Sequence, residues 1–328
     1  MNVKFALDIG YWAVKGCWGL SEYNDSLIFP AVVGSPDEVN FSLGLGNTKA
    51  ILLREPIHAM VGLAALRQSR FISQRRDPTW VTSTEWYTLF LAALTELTQA
   101  LTYDLDMVVG LPVSHYRAYK DAVRDKLQAT HVVVREGRDP QRFTVHEVRV
   151  IPQTWGITLD QAIDDNLKLD TSWLQASVLV IDSGGNTTNL LELDGLEELP
   201  SGCHSMQLGA MDITSALQDR LDVKCPGLEL RTHKLSQAVQ RRSVMYDGKM
   251  VDITAEVDSI LIPMARNIAS QATQRWGSTV GQDHILIGGG AGAMLGPYLQ
   301  EYFPRAVIVR DPVRANARGF YKLCASEE

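Results

Sequence analysis

The chain has 328 residues, of which 45% are hydrophobic and 21% charged, and it carries a formal net charge of −7. That length exceeds one ordinary core and suits two domains of moderate size. The acidic balance excludes a broad basic field for gripping DNA phosphates, and no run approaches the roughly 20 apolar residues that span a bilayer. The four cysteines, Cys17, Cys203, Cys225 and Cys324, lack the spacing of metal ligands. Met1-Asn2-Val3-Lys4 runs straight into a strand and leaves no room for a signal peptide. Together these features point to a cytoplasmic protein with reduced thiols and no membrane partner.

Strand and helix patterns alternate along the chain, which predicts an α/β fold. Strands are expected near 3–9, 14–20 and 27–33, with turns at Gly10 and around Asn24-Asp25. Residues 35–80 are less regular and read as a small inserted subdomain. It holds a turn at Gly44-Leu45-Gly46-Asn47 and four arginines from Arg67 to Arg76, which form a solvated or interface face. Trp86, Leu89, Phe90, Ala93, Leu94, Leu97 and Leu101 recur at helical spacing and predict a helix over 84–102. Met107 to Leu111 is a strand that stops at Pro112. Ser114 is placed to cap a helix carrying Tyr116, Tyr119, Val123 and Leu127 on one face. Strands near 131–135 and 143–151 close the first half, and a hinge falls near 152–160. In the second half, Asp194-Gly195 and Asp247-Gly248 are hairpin signals. Helices are expected at 210–222, 228–242, 254–275, 291–302 and 313–323, with 205–252 as a second insertion.

Two turns carry the chemistry. The first is Phe5-Ala6-Leu7-Asp8-Ile9-Gly10, followed by a strand from Val14. The second is Val178-Leu179-Val180-Ile181-Asp182-Ser183-Gly184-Gly185, followed by a strand from Thr187. Glycine beside an acidic residue allows a tight turn whose N–H groups can approach a phosphate. The aspartate can face a phosphate only through a cation, usually with waters in between. Two such turns suggest two domains whose hairpins clamp one triphosphate, and Gly288-Gly289-Gly290-Ala291 supplies a third loop where a nucleoside could sit.

These pieces, in this order, resemble the actin-like ATPase superfamily, nearest to the bacterial plasmid-segregation actins of the ParM/StbA group. The resemblance rests on Asp8-Ile9-Gly10-Tyr11-Trp12-Ala13-Val14-Lys15, with Lys15 seven residues after the aspartate. It rests also on Val109-Gly110-Leu111-Pro112, on Val150-Ile151-Pro152-Gln153 and on Asp182-Ser183-Gly184-Gly185-Asn186-Thr187-Thr188. Ile287-Gly288-Gly289-Gly290-Ala291 and the C-terminal Ala315-Asn316-Ala317-Arg318-Gly319-Phe320-Tyr321 complete the set. The resemblance implies duplicated ribonuclease H-like domains around a nucleotide cleft. Residues 1–155 would form domain I with its insertion at 35–80 and the C-terminal helix, 313–328, packing back on it. Residues 156–312 would form domain II.

The resemblance also implies roles. Backbone N–H groups of 10–14 and 184–188 would cradle the phosphates, with Thr187 and Thr188 hydroxyls as added donors and Lys15 as a point charge. Asp8 and Asp182 would hold Mg²⁺, mostly through its waters, and Gln153 would orient the attacking water. Gly288, Gly289, Gly290 and Ala291 would pass beside the nucleoside of ATP, with GTP left open. Gly209 resembles the entry to the second insertion, while Asp212 reads as a helix-start carboxylate. Departures are Trp12, where a small residue is common and whose indole is expected to pack beneath the loop, and Asn189, where an aspartate is common. The implied function is an ATPase whose filaments assemble as ATP closes the cleft. Such filaments would move plasmid DNA, touched only indirectly, through a centromere-binding adaptor. A small-molecule kinase and a cell-shape or division scaffold are the alternatives. The amide at Gln153 argues against the first, which needs a carboxylate base, and neither terminus resembles the membrane-binding helix common in the second.

Overall fold

Continuous apolar runs become central parallel strands and alternating runs become hairpins, twice over. The structure, a computed structural model, describes residues 1–21, 25–36, 51–73 and 79–326. Asn24, the turn at Gly44 to Asn47, and Arg75 and Arg76 of the arginine cluster lie outside the described residues. The chain divides into two compact units, Met1–Asp170 with Asn316–Glu328, and Thr171–Ala315.

In the first unit β1 (Asn2–Ile9), β2 (Ala13–Cys17) and β3 (Ser26–Pro30) form an antiparallel meander. The following stretch, expected to be irregular, contributes β4 (Val33–Gly34), β5 (Ile51–Glu55), β6 (Ala59–Val61), helix α1 (Leu63–Gln68) and β7 (Ile72–Ser73). Then come α2 (Thr84–Leu94), β8 (Thr102–Leu111), α3 (Val113–Leu127), β9 (Thr130–Arg135), β10 (Gln141–Pro152) and α4 (Trp155–Ala162). The sheet runs in the order β3-β2-β1-β8-β10-β9-β5-β6-β4-β7. Strand β1 lies parallel to β8, and β8 to β10. Phe5 to Ile9 and Met107 to Leu111 are buried throughout, as parallel strands covered on both faces must be.

Two local expectations need correction. Helix α2 stops at Leu94 rather than running to 102. Its last carbonyls are satisfied locally by Thr95, Glu96 and Leu97, and the Thr95 and Leu97 carbonyls just beyond accept side-chain bonds from Arg138 and Gln141. Helix α3 starts with Pro112, not Ser114, at its N-cap position. Within 152–160, where a hinge is expected, residues from Trp155 onward belong to helix α4. The C-terminal helix, Ala315–Ala325, packs on α4. A Cβ at Gly319 would lie 1.9 Å from the Gly156 carbonyl oxygen, so only glycine permits this approach. Arg318 grips the Asp160 carboxylate with two bonds of 2.6 Å. Lys322 donates to the carbonyls of Asp160 and Ile163 at 2.8 and 2.7 Å, capping the end of α4. Buried charges persist because each is paired and hydrogen-bonded.

The second unit repeats the plan. Its elements are β11 (Ser177–Ser183), β12 (Thr188–Asp194), β13 (Glu197–Glu198), β14 (His204–Met206), α5 (Ala210–Lys224), α6 (Thr232–Arg241), β15 (Ser243–Tyr246), β16 (Lys249–Asp252), α7 (Thr254–Trp276), β17 (His284–Gly288), α8 (Gly292–Leu299) and β18 (Val307–Ile308). The order is β13-β12-β11-β17-β18, with β14 also on β12. An antiparallel hairpin is again followed by two parallel strands. Asp247 and Gly248, at φ 46° and 74°, form the two-residue turn their sequence predicts. The other turn is centred on Gly195 and Leu196, one residue beyond the suggested pair, because Asp194 pairs with Glu197.

Candidate functional site: two acidic hairpins

In the first unit Asp8, next to last in β1, has a side chain only 1% exposed. The turn closes by a bond of 3.1 Å from Gly10 N–H to the Ala13 carbonyl, which brings Lys15 directly across from Asp8. The Lys15 Nζ lies 2.9 Å from Asp8 Oδ2. The Gln153 amide donates to Asp8 Oδ1 from the end of β10. A Cβ at Gly10 would sit 3.3 Å from Lys15 Nζ and 3.8 Å from Gln153 Nε2, so both polar heads meet over the loop glycine. Asp8, Lys15, Gln153 and Gly10 therefore form one cluster although up to 145 residues separate them.

The loop rests on an aromatic floor. Tyr11 of the loop stacks on Trp80 at 5.9 Å between ring centroids. Trp12 is half-buried and anchors the loop through its carbonyl, which accepts from Ala31 N–H at 2.9 Å.

In the second unit β11 brings Asp182 to the corresponding place, 3% exposed. Gly184 N–H bonds to the Thr187 carbonyl at 2.8 Å, and Asp182 lies across from Asn189. Thr188 is fully buried. Its hydroxyl donates to the Leu208 carbonyl at 2.8 Å and lies 2.7 Å from Ser183 Oγ. That bond ties the loop to the segment just before α5. Thr187 is half-buried and accepts from Asn189 Nδ2, while Ser205 donates to Asn189 Oδ1 at 2.7 Å. Asn186 donates to Gln207 Oε1 at 3.1 Å.

Helix α5 clamps this loop from behind. Ala210 and Met211 N–H groups bond to the Gly184 and Gly185 carbonyls. A Cβ at Gly209 would lie 2.6 Å from the Gly185 carbonyl carbon and oxygen. Asp212 accepts from Gly209 N–H at 2.8 Å, the helix-start role expected of it.

The glycine loop after β17 divides its labour. Gly288 lies beside Asp182 in the parallel ladder. Gly289 has φ 84°, and a Cβ there would meet Ser183 O at 2.3 Å and Asp182 Oδ1 at 2.5 Å. Ala291 is buried and donates to Ser183 O at 2.8 Å at the start of α8. Gly290 faces open space.

The two hairpins match residue for residue. Asp8 corresponds to Asp182, Gly10 to Gly184 and Lys15 to Asn189. Gly110, beside Asp8 in the parallel ladder, corresponds to Gly288 beside Asp182. Gly110 escapes a site list built on motifs; its signal is its place at the end of the strand parallel to β1. A Cβ on it would strike the Phe320 ring at 2.4 Å, so the C-terminal helix packs directly under the first cluster. No local sequence pattern marks Arg318, Lys322 and Asp160 as the residues that hold α4.

Two sheets of one topology, each ending in an acidic hairpin beside a glycine, define the actin-like class. Residues 6–156 match the family model for the N-terminal domain of actin-like proteins, and residues 180–301 match that for the C-terminal domain of archaeal MreB-like actin homologues. The chain belongs to the actin-like proteins. A search of curated proteins found no match. Among solved structures, the archaeal actin homologue Ta0583 superposes with a TM-score of 0.81 at 23% identity, covering 98% of each chain. A ParM from a 15-stranded filament of Clostridium botulinum superposes with a TM-score of 0.80 at 24% identity, covering 99% of each. The Ta0583 complex with ADP gives 0.77 at 22% identity over 97% of this chain and 98% of that one.

Proposed function

We propose that the protein is a nucleoside triphosphatase that assembles into dynamic filaments on binding ATP. We propose further that these filaments segregate plasmid DNA through a centromere-binding adaptor. The observation that carries this is the matched pair of hairpins, in which Asp8 and Asp182 occupy the same position of the same turn. One triphosphate would use both, with backbone N–H groups of residues 10–14 and 184–188 directed at its phosphates. Gly288 to Ala291 would pass beside the nucleoside, where Gly290 has space for it.

The side chains suit hydrolysis. Lys15 supplies a cation next to the loop, and Gln153 supplies an amide that can orient water but cannot serve as a strong base. Among the described residues no group of three His, Cys, Asp or Glu is arranged to hold a metal. Magnesium therefore fits as a hydrated ion arriving with the nucleotide, reached through water by the buried carboxylates Asp182 and Asp8. It would neutralise charge building up on the phosphates. The amide at Gln153 also disfavours a kinase, whose acceptor hydroxyl needs a carboxylate base.

Filament assembly draws support from the ParM filament structure, and the plasmid role from ParM neighbours together with the C-terminal Ala315 to Tyr321 resemblance. Among the described residues no helix is long and apolar enough to cross a membrane. Head-to-tail contact between copies is heterologous and propagates as an open polymer. Light scattering of purified protein on adding Mg-ATP tests the proposal. A rise that decays as ATP is consumed supports it. No rise over a wide protein concentration range, despite tight ATP binding, would turn the assignment to a kinase or a monomeric switch.

A further inference from the structure

We infer that Asp8 acts chiefly as a positioning residue, holding Lys15 with one carboxylate oxygen and setting the orientation of the Gln153 amide with the other. The inference rests on the nucleotide reading above and assigns the first hairpin a different task from the second. Both oxygens of Asp8 are engaged by protein donors, the Lys15 ammonium at 2.9 Å and the Gln153 amide. The carboxylate is almost wholly buried, and burial of a charge is tolerated only with such pairing.

The amide's direction follows from chemistry. A carboxylate accepts hydrogen bonds and never donates them when ionised. The reversed amide would set its own oxygen against that of Asp8, two acceptors in contact. Asp8 thus fixes Gln153 with nitrogen inward and oxygen outward. An outward amide oxygen accepts a hydrogen bond from water and so aligns a lone pair of that water for attack. Lys15 is held at the same time with its ammonium over Gly10, the first glycine of the loop. One buried charge thereby fixes two polar heads carried by strands β2 and β10.

In the second hairpin Asn189 stands where Lys15 stands in the first. Asn189 serves the loop itself, through Thr187 and Ser205. Removing the Asp8 charge should accordingly damage the chemical step more than the binding of the metal–nucleotide complex.

The test is a double-mutant cycle of D8N, Q153A and D8N/Q153A. Single-turnover hydrolysis is read beside equilibrium binding of a fluorescent ADP analogue titrated with magnesium. D8N should slow hydrolysis about a hundredfold, the cost of misplacing groups by about an ångström. The double variant should be within about threefold of the slower single variant, because residues acting as a unit are non-additive. The magnesium midpoint for nucleotide binding should move less than about threefold in D8N. Losses that multiply, or a midpoint raised tenfold or more, would overturn the inference. Wild-type protein that binds no nucleotide would instead overturn the reading beneath it. Should D8N fail to fold, D8N/K15M removes both charges of the pair and carries the same magnesium titration.

Discussion

The two hairpins share a backbone frame but differ in what stands opposite the aspartate. In the first, Asp8 faces Lys15 and is held by Gln153; in the second, Asp182 faces Asn189 within a network of hydroxyls and carbonyls. The first is built from an ion pair within the hairpin and a neutral amide brought in from a remote strand. The second is built from local bonds that hold its loop, backed by the start of α5. Duplicating a fold therefore duplicates the turn and the glycine beside it, while the residue one hydrogen-bonding step away is free to take a separate task. The frame needs glycine where strands and loops touch; the chemistry needs only one substitution to diverge.

The sharpest way to break this comparison is to remove the second aspartate. Asp182→Ala should lower ATP turnover by about two to three orders of magnitude, the usual cost of losing a group that stabilises developing charge. Far-UV circular dichroism should change little. Normal turnover would sink the assignment of the second hairpin.

Lys15→Asn makes the first hairpin copy the second. It should weaken ATP binding about tenfold, the loss of one charge-assisted contact of roughly 1.4 kcal/mol. Unchanged affinity by calorimetry would place Lys15 outside the phosphate contacts.

The glycine loop offers an internal control. Gly289→Ala should destabilise by about 2 kcal/mol or more, since φ is 84° and backbone atoms lie at 2.3 Å from the new Cβ. Gly290→Ala, with nothing within 4 Å, should leave the melting temperature nearly unchanged and affect only nucleotide binding. Equal losses of stability in both would contradict the division of that loop.

The smallest effect concerns the far end of the first hairpin, where Cys17 pairs with Ala6. Burial pushes its thiol up to about 11. The folded pKa exceeds the unfolded one, so the unfolded chain loses this proton first as pH rises. The thiol's contribution to stability is therefore intact below the unfolded value and declines between about pH 9 and pH 11. At pH 8 the folded thiol should alkylate far more slowly than in denaturant. Equal rates would show the hairpin's end to be open.

Much of the frame was legible in the sequence, for physical reasons tied to particular residues. Asp8-Ile9-Gly10 and Asp182-Ser183-Gly184 announce turns because a glycine must follow the strand end. Phe5 to Ile9 and Val178 to Ile181 announce central strands because both their faces are buried. The features that stayed hidden depend on distant partners. Just beyond the end of α2, the Thr95 and Leu97 carbonyls are taken up by Arg138 and Gln141, which follow more than forty residues later. Helix α4 has no side-chain cap at Thr154 and is held by Arg318 and Lys322 of the C-terminal helix. Within the candidate site, Lys15 and Gln153 could each be named, but their meeting on one carboxylate could not. Cross-strand register places the first, and a strand 145 residues away brings the second.

The central claim is that both hairpins serve one nucleotide. A structure determined with Mg-ADP tests it most directly. Phosphate oxygens should lie within hydrogen-bonding distance of backbone N–H groups in both the 10–14 and 184–188 loops, with the nucleoside against Gly288 to Ala291. Phosphates held by one loop alone, or a nucleotide bound elsewhere, would contradict it.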